Sequence, residues 1–452
     1  MNGRGAVGEL VPLLGHDDPL APVAWRGGGA VSARQFLADA AHLATLLPLG
    51  APVLNACTDR YAFATGLAAA LLAGNRSLLP PTHTPELIRQ LQRIEPAAIC
   101  LTDDPRCAID LPRLPYPAQA ASRPGPWPPP AVPGAQVFAD VYTSGSTGVP
   151  LAQRKSWGKV ARCVAIEAQR LGFVAGRPRT VLATVPPQHM YGLETSVLLP
   201  LLSASALCAE RPFYPADICA ALAAAPGSRV LVSTPVHLRA LLGAQLELPP
   251  VDLLVSATAP ISCEFAAEVE QRFGAPLLEI YGSTETGQIA SRRPSQREAW
   301  QIWDGVRMSR RDDRVWVEGG HVERATPLGD DIDIVDDSRF VLGSRLQDVV
   351  NIAGKRNSID HLNHQLLAIP GVCDGAFFLP DDDQRSATGV VRLSALVVAP
   401  TLDAKALLRQ LRARIDPVFL PRPLLLVPAL PRNSTGKLPL QSLRLLYARL
   451  TQ

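Results

Sequence analysis

The sequence predicts an α/β protein: a large N-terminal domain of doubly wound sheets with helices, and a small α+β C-terminal domain joined to it by a hinge. Three observations lead there. From Pro52 to Gly282, short apolar runs of strand length alternate with longer runs of helical periodicity, the order that parallel strands with crossover helices require. After about Pro294 this gives way to short strands and polar turns, as in "RVWVEGG" and "DIDIVDDSRFVLGSR". Near Arg345 a new unit begins, with "VRLSALVVAP" as a strand and "DAKALLRQLRARI" as a helix. At 452 residues the chain is long enough for two such domains, expected at 1–345 and 346–452.

The elements follow in order. "SARQFLADAAHLATLL" offers Ser32 as an N-cap and places Phe36, Ala40, Leu43 and Leu47 on one helical face. "APVLNAC", "RSLLP" and "AAICLTD" read as strands, separated by the buried helix "YAFATGLAAALLAG" and the helix "TPELIRQLQRIEP". The proline-dense segment 111–136 excludes helix and central strand, and is expected to end this first unit as a linker or extended surface loop. Alternation then resumes with strands "VFADVYT", "RTVLATVP", "SRVLVST", "VDLLVSA" and "APLLEIYG". Between them lie helices "KVARCVAIEAQRLGF", "TSVLLPLLSA", "ADICAALAAAP", "PVHLRALLGAQ" and "CEFAAEVEQRFG". In the tail helix Leu407, Leu408, Leu411 and Ile415 share a face. No internal repeat of solenoid length is visible.

Composition is that of a soluble globular protein, with 47% apolar and 19% charged residues. Lys+Arg number 44 against 41 Asp+Glu, so there is no overall field to attract nucleic acid. The eight cysteines include no CxxC and no zinc spacing, and read as thiols in a reducing compartment. The longest apolar runs, 62–74 and 197–209, are shorter than the roughly 20 residues a membrane span needs. A cytoplasmic protein without a membrane span is expected.

"VYTSGSTGVPLAQRK" follows a predicted strand. Successive backbone N–H groups can form an anion-binding concavity, and glycine lets the chain approach an anion without a Cβ clash. GxxxxGK[ST] is absent, so this is not a Walker loop, and a solvated linker remains the alternative for the loop taken alone.

Further motifs follow in fixed order: "PPQHMYG" (186–192), "SATAPIS" (256–262), "IYGSTETG" (280–287), "GDDIDI" (329–334), "SRLQDVVNIAGKR" (344–356) and "PRNSTGKL" (431–438). With "YTSGSTG" they resemble the adenylate-forming superfamily of acyl- and aryl-CoA synthetases, adenylation domains and luciferase-like enzymes. The resemblance runs from Pro52 to the C-terminus. The short chain, "AQRKSWG", "VVNIAGKRNS" and "HLNHQLLAIPGVCDGAFF" look most like the compact ligases of aryl-polyene and xanthomonadin pigment clusters, which activate a hydroxybenzoate-type acid for an acyl carrier protein.

The resemblance implies ATP-dependent formation of an acyl-adenylate with release of pyrophosphate, then transfer to the thiol of CoA or of a carrier protein's phosphopantetheine. Two anions that repel each other must be held together, so cations and oriented donors are required. Lys437 is then the mobile lysine that bridges the carboxylate and the α-phosphate. Glu285 is a hard oxygen ligand for Mg2+, and Thr284 donates to the α-phosphate. Thr143, Ser144, Gly145, Ser146, Thr147 and Gly148 form the phosphate loop. Ala257, Thr258, Ala259 and Pro260 form the adenine turn, with Ala257 and Thr258 in place of glycines; Tyr281 packs on adenine beside Gly282. Asp330 or Asp331, with Arg345 15 residues beyond Asp330, holds the ribose. Gln347 is the hinge, and Gly354 lines the thiol tunnel. Leu151 stands where many relatives have lysine, leaving Arg154, Lys155 or the backbone to contact pyrophosphate.

His189, Tyr191, Ser233, Gln288 and Ile289 are the implied acid pocket. Amino-acid-activating relatives carry an Asp just after the aromatic or His, where this chain has Met190, which argues for an acid without a free α-amino group. Glu194 lies close enough in sequence to keep an amino-acid-adenylating enzyme open. A catalytically silent nucleotide-binding relative is the alternative from another class, opposed by Glu285 and Lys437 and kept open by Leu151 and Gln347. An acidic carrier protein could meet Arg409, Arg412 and Arg414, or these could form an ordinary solvated helix face.

Overall fold

The computed structural model describes residues 9–118, 121, 123–144, 150–312, 314–345, 349–352, 355–380, 392–433 and 436–451. Gly145, Ser146, Thr147, Gly148, Gln347 and Gly354 lie outside the described residues, as do the side chains of Thr143, Ser144 and Arg345. The chain divides into two compact units. One comprises Met1–Pro235, Ala244–Arg307 and Val317–Thr326; the other comprises Val236–Gly243, Met308–Trp316 and Pro327–Gln452. Residues 327–345 thus cluster with the second unit, where helix Ile359–Leu367 packs on strand Arg339–Arg345.

The first unit holds two mainly parallel sheets. In the six-stranded sheet the spatial order is Pro150–Ser156, Val137–Ser144, Ser77–Leu79, Val53–Asn55, Ile99–Thr102 and Arg113–Pro115. All pairings are parallel except the first, which is antiparallel. The crossover helix Arg60–Leu72 is almost wholly buried around its circumference, as expected for a run with no polar face. Asp59 caps it by accepting from the Ala62 N–H at 2.8 Å.

The proline-dense segment does not end a unit. Strands on both sides of it, Ser77–Leu79 and Val137–Ser144, pair directly in one sheet. The segment itself supplies Arg113–Pro115 at the sheet edge and Ala131–Pro133, which pairs with Leu10–Pro12. Proline has no backbone N–H to donate, which an edge strand tolerates because one of its sides faces away from the ladder.

The second sheet of this unit runs Trp300–Ile302, Gly287–Arg292, Leu277–Ser283, Leu253–Ser256, Ser228–Ser233, Arg179–Ala183, Ala206–Cys208, Pro22–Arg26 and Gly29–Ser32. Its middle is parallel and its two ends antiparallel. Ser233, Ser256 and Glu279 are level with one another across three parallel strands. Helix Cys263–Phe273 covers the connection, capped by Ser262 at its start and by left-handed Gly274 at its end.

In the second unit a three-stranded sheet, Asp374–Phe378, Ser394–Val398 and Leu424–Leu426, is buried on both faces. The strand period of two sends Phe377, Ala395 and Val397 toward Leu362, Leu366, Leu407 and Leu411. It sends Ala376, Phe378 and Leu396 toward Leu443 and Tyr447. On helix Ala404–Arg412 Leu407 and Leu411 are buried and Leu408 is partly buried; Ile415, expected on the same face, is buried just past the helix end, and Arg409, Arg412 and Arg414 are exposed. Among the described residues no helix is long and apolar enough to cross a membrane.

Candidate active site

In open α/β sheets ligands bind beyond the carboxyl ends of the strands. Just past the level row Ser233, Ser256 and Glu279, the last strand reverses through Thr284, Glu285 and Thr286 into Gly287–Arg292. The reversal is tight. A Cβ on Gly282 would sit 2.2 Å from the Gly287 carbonyl oxygen, and Gly287 has φ +71°. Thr286 is turned inward: its hydroxyl accepts from the Ser283 N–H at 3.1 Å and donates to the Gly287 carbonyl at 2.7 Å. Thr284 and Glu285 are left partly exposed.

Tyr281 precedes the turn, its ring 5.6 Å from that of Trp300, and the Arg292 guanidinium lies 4.5 Å from Trp300 on the same sheet. Arg292 also binds Glu279 at 2.8 Å, and Glu279 accepts from the Ile261 N–H at 3.0 Å. Burial pushes Glu279 up to about 7, against the pull of Arg292. This pair ties the hairpin to the turn at Ala257, Thr258, Ala259 and Pro260. There Ala257 is buried, Ala259 and Pro260 are exposed, and Thr258 has φ +80°. The backbone therefore keeps a glycine-like conformation while carrying a β-branched side chain.

Segment 186–202 starts with His189 extended, followed by one helix that is α at Met190–Leu193, π at Glu194–Leu198 and α again at Leu199–Leu202. A π turn widens the helix and often marks a functional position. A Cβ on Gly192 would lie 2.0 Å from the Pro186 carbonyl oxygen, so the loop closes on itself only because position 192 is glycine. The fully buried Arg60 clasps the same segment, donating to the Ala183 and Val185 carbonyls at 3.0 Å each and to the Ser196 hydroxyl.

Of the five residues expected in the acid pocket, His189 is the one that is partly exposed. Tyr191 is buried, and its hydroxyl donates to the Ser233 and Val255 carbonyls at 3.1 and 3.0 Å. It stitches two strand ends together, and burial raises its pKa. Ser233 shares a hydrogen bond with Thr184 at 3.0 Å, and Ile289 is fully enclosed. Gln288 is buried and donates to Thr195 at 2.8 Å.

Gln288 belongs to a buried polar cluster that sequence reading did not find. The Thr195 hydroxyl donates to Glu167 at 2.5 Å, and Cys163 donates to Glu194 at 3.2 Å. Burial raises Glu167 to about 8 and Glu194 to about 7, and lowers His321 to about 4. Neutral His321 lies 2.7 Å from the Gln288 carbonyl oxygen, which can only accept, so Nε2 carries the proton. Lys155, also buried, donates to the Glu285 carbonyl at 3.0 Å. The spacing of Cys163 and Glu167, one helical turn apart, was a readable signal; their meeting with Glu194 was not.

Arg154 pairs with Asp140 at 3.2 Å, and Lys155 points into the interior. Glu194 is 1% exposed beneath the turn, with its oxygen 3.0 Å from where a Gly287 Cβ would be.

In the second unit Asp330 and Arg345 are direct partners in the antiparallel pairing of Asp330–Asp336 with Arg339–Arg345. Asp331 falls at a register shift and lies against Gly343. Lys437 is exposed. Its N–H donates to the Asn433 side chain at 2.9 Å, its carbonyl accepts from the Asn433 N–H at 2.8 Å, and Arg432 bridges Gly436 to Asp374.

Among the described residues no group of three or more His, Cys, Asp or Glu could hold a metal. Glu285 as a single carboxylate still suits Mg2+, which keeps several waters and takes oxygens from a substrate's phosphates.

The AMP-binding enzyme family matches residues 53–343, more than half of the chain. A 4-coumarate–CoA ligase of Rhodobacter capsulatus is 31% identical over 274 residues, covering 61% of this chain and 66% of that protein, just under two thirds of its length. An indoleacetate–CoA ligase of Aromatoleum aromaticum is 24% identical over 347 residues, 69% of this chain and 67% of that protein. The fold is that of ATP-bound MatB from Rhodopseudomonas palustris (TM-score 0.79, 20% identity, 96% of this chain and 97% of that one). It is also that of the o-succinylbenzoate CoA synthetase MenE from Bacillus subtilis (TM-score 0.78, 17% identity, 96% of each chain). With the motif order, the hairpin turn and these matches in agreement, the chain belongs to the AMP-binding enzyme family, the adenylate-forming enzymes that include the CoA ligases just named.

Proposed function

We propose that this AMP-forming acid–thiol ligase activates an aryl acid such as a hydroxybenzoate with ATP and passes the acyl group to the thiol of CoA or of a carrier protein's phosphopantetheine. The carboxylate oxygen attacks the α-phosphorus, and the bond to pyrophosphate breaks. The thiol sulfur then attacks the acyl carbon, its proton leaves to solvent, and AMP departs with the carbon–oxygen bond electrons.

The observation that carries this reading is the Thr284–Glu285 turn just beyond the carboxyl ends of the parallel strands, with both side chains partly exposed. Mg2+ held by Glu285 would neutralise charge on the transferring phosphate. Thr284 would orient the α-phosphate, and the phosphate loop Thr143–Gly148 would cradle the anions. Tyr281, Gly282 and the 257–260 turn would seat adenine; Asp330 with Arg345 would hold the ribose. Lys437 would bring its ammonium between carboxylate and phosphate, with Gln347 as the pivot of its movement and Gly354 beside the thiol.

Two observations favour an aromatic acid without an α-amino group. Glu194, the nearest candidate counter-ion to a substrate ammonium, is enclosed with Cys163 and Lys155. The 4-coumarate and indoleacetate ligases among the relatives act on acids that bear a ring. The test is pyrophosphate release across hydroxybenzoates, cinnamates, fatty acids and amino acids, with CoA or a carrier protein as acceptor. Hydroxybenzoates are expected to lead; amino acids leading, or no acid provoking release, would overturn the reading.

A further inference from the structure

Lys155 is 3% exposed, although lysine is almost never enclosed without a partner. Its ammonium donates to the Glu285 carbonyl at 3.0 Å, and the carboxylates of Glu194 and Glu323 lie in its electrostatic surroundings. Glu323 is engaged elsewhere, accepting from both the N–H and the hydroxyl of Ser156 at 2.8 and 2.7 Å. Glu194 receives Cys163 on one oxygen, while its other oxygen is buried without a hydrogen-bond partner. An isolated buried ammonium would be strongly unfavourable; here the Glu285 carbonyl accepts its hydrogen bond and the nearby carboxyl groups favour its charged form.

The position of these two groups matters more than their stability. Glu194 packs against Gly287 from below, and Lys155 holds the carbonyl of the neighbouring residue but one, so the two grip opposite ends of the same reversal. Thr286 locks the inner side of the turn. Rotation of the Glu285–Thr286 peptide would break the Lys155 bond and would redirect the Glu285 side chain. A charge-assisted hydrogen bond is a stiff restraint against such rotation.

We propose that Lys155, through its hydrogen bond to the Glu285 carbonyl, is a positioning residue that fixes the orientation of the Thr284–Glu285–Thr286 turn for the ligase reaction. The cation missing at Leu151 is thus present four residues on in the same strand, acting from behind the turn through a backbone carbonyl. The inference rests on the reading of that turn as the seat of Mg2+ and the α-phosphate.

The test compares Lys155→Met, Glu194→Gln and the double variant in the full-length enzyme. Lys155→Met removes a cation that favours ionised Glu194, so at a pH above about 7 it is expected to melt below the double variant, which has no buried group to ionise there. In the double variant kcat for acid-dependent ATP–pyrophosphate exchange is expected to fall about tenfold or more, with KM for the acid within about twofold. Amide exchange over 283–287 is expected to quicken in the same variant, measured by mass spectrometry without any substrate. Wild-type kcat in a folded double variant would overturn the proposal, because charge pairing alone would then explain the cluster. Unchanged amide exchange would overturn it as well. If wild-type enzyme turned over no acid, the functional reading would fall, and the amide exchange would still decide whether Lys155 holds the turn.

Discussion

Asp330 faces Arg345 across an antiparallel hairpin, each the backbone partner of the other, while Asp331 is set aside at a register shift against Gly343. Two neighbouring carboxylates that are equivalent in sequence are therefore distinct in structure. Asp330→Ala is expected to raise KM for ATP by roughly tenfold, the loss of about one charged hydrogen bond, and Asp331→Ala to leave it within about twofold. Initial-rate kinetics at saturating acid distinguish them. The reverse ranking would move the ribose contact to Asp331.

Lys437 is exposed, its backbone N–H donates to the Asn433 side chain, and Arg432 bridges the Gly436 carbonyl to Asp374. Lys437→Ala is expected to leave folding intact and to lower acyl-adenylate formation by roughly two orders of magnitude or more. Thiolation of a chemically supplied adenylate should persist. Equal loss of both half-reactions, followed by single-turnover assays, would contradict a role confined to adenylation.

Thr258 occupies φ +80°, where a β-branched side chain costs about 1–2 kcal/mol. Thr258→Gly should stabilise the enzyme by about 1 kcal/mol in urea unfolding, because glycine takes this conformation without the Cβ clash. A decrease in stability would show that the threonine side chain makes a compensating contact.

Glu167 is enclosed without a cation, and burial holds it up at about 8, with Glu194 nearby adding to the shift. The folded state therefore keeps a proton that the unfolded chain gives up near the ordinary carboxylate value of 4.5. Stability from this group is complete below 4.5 and is lost as pH rises through about 8. Glu167→Gln, permanently neutral, should flatten the fall in melting temperature between about pH 5 and pH 8. An unchanged slope would show that Glu167 is ionised in the fold.

Much of the fold was legible because periodicity reports burial directly. The strand 53–55, the helix after Asp59 and the strand 99–102 stand where apolar runs and caps put them. The antiparallel strands at 150–156, 287–292 and 300–302 were not read, since their polar residues hide the alternation. Lys155 in particular spoils the pattern of an inward face, yet it points inward. At the site, the order of motifs announced the "STETG" turn, whereas the cluster beneath it joins residues from 155 to 321 that no local spacing relates. Tyr191, which its motif implies for the acid pocket, has its hydroxyl committed to two backbone carbonyls, a contact no local spacing announces.

The sheet of the second unit, covered on both faces by its own helices, has a consequence for inheritance. Because Asp374, Arg432 and Asn433 travel in the same stretch of gene as Lys437, recombination upstream of that stretch would carry the lysine together with these neighbours. Such a cassette could be joined to bodies that recognise different acids, with no need to rebuild those contacts each time.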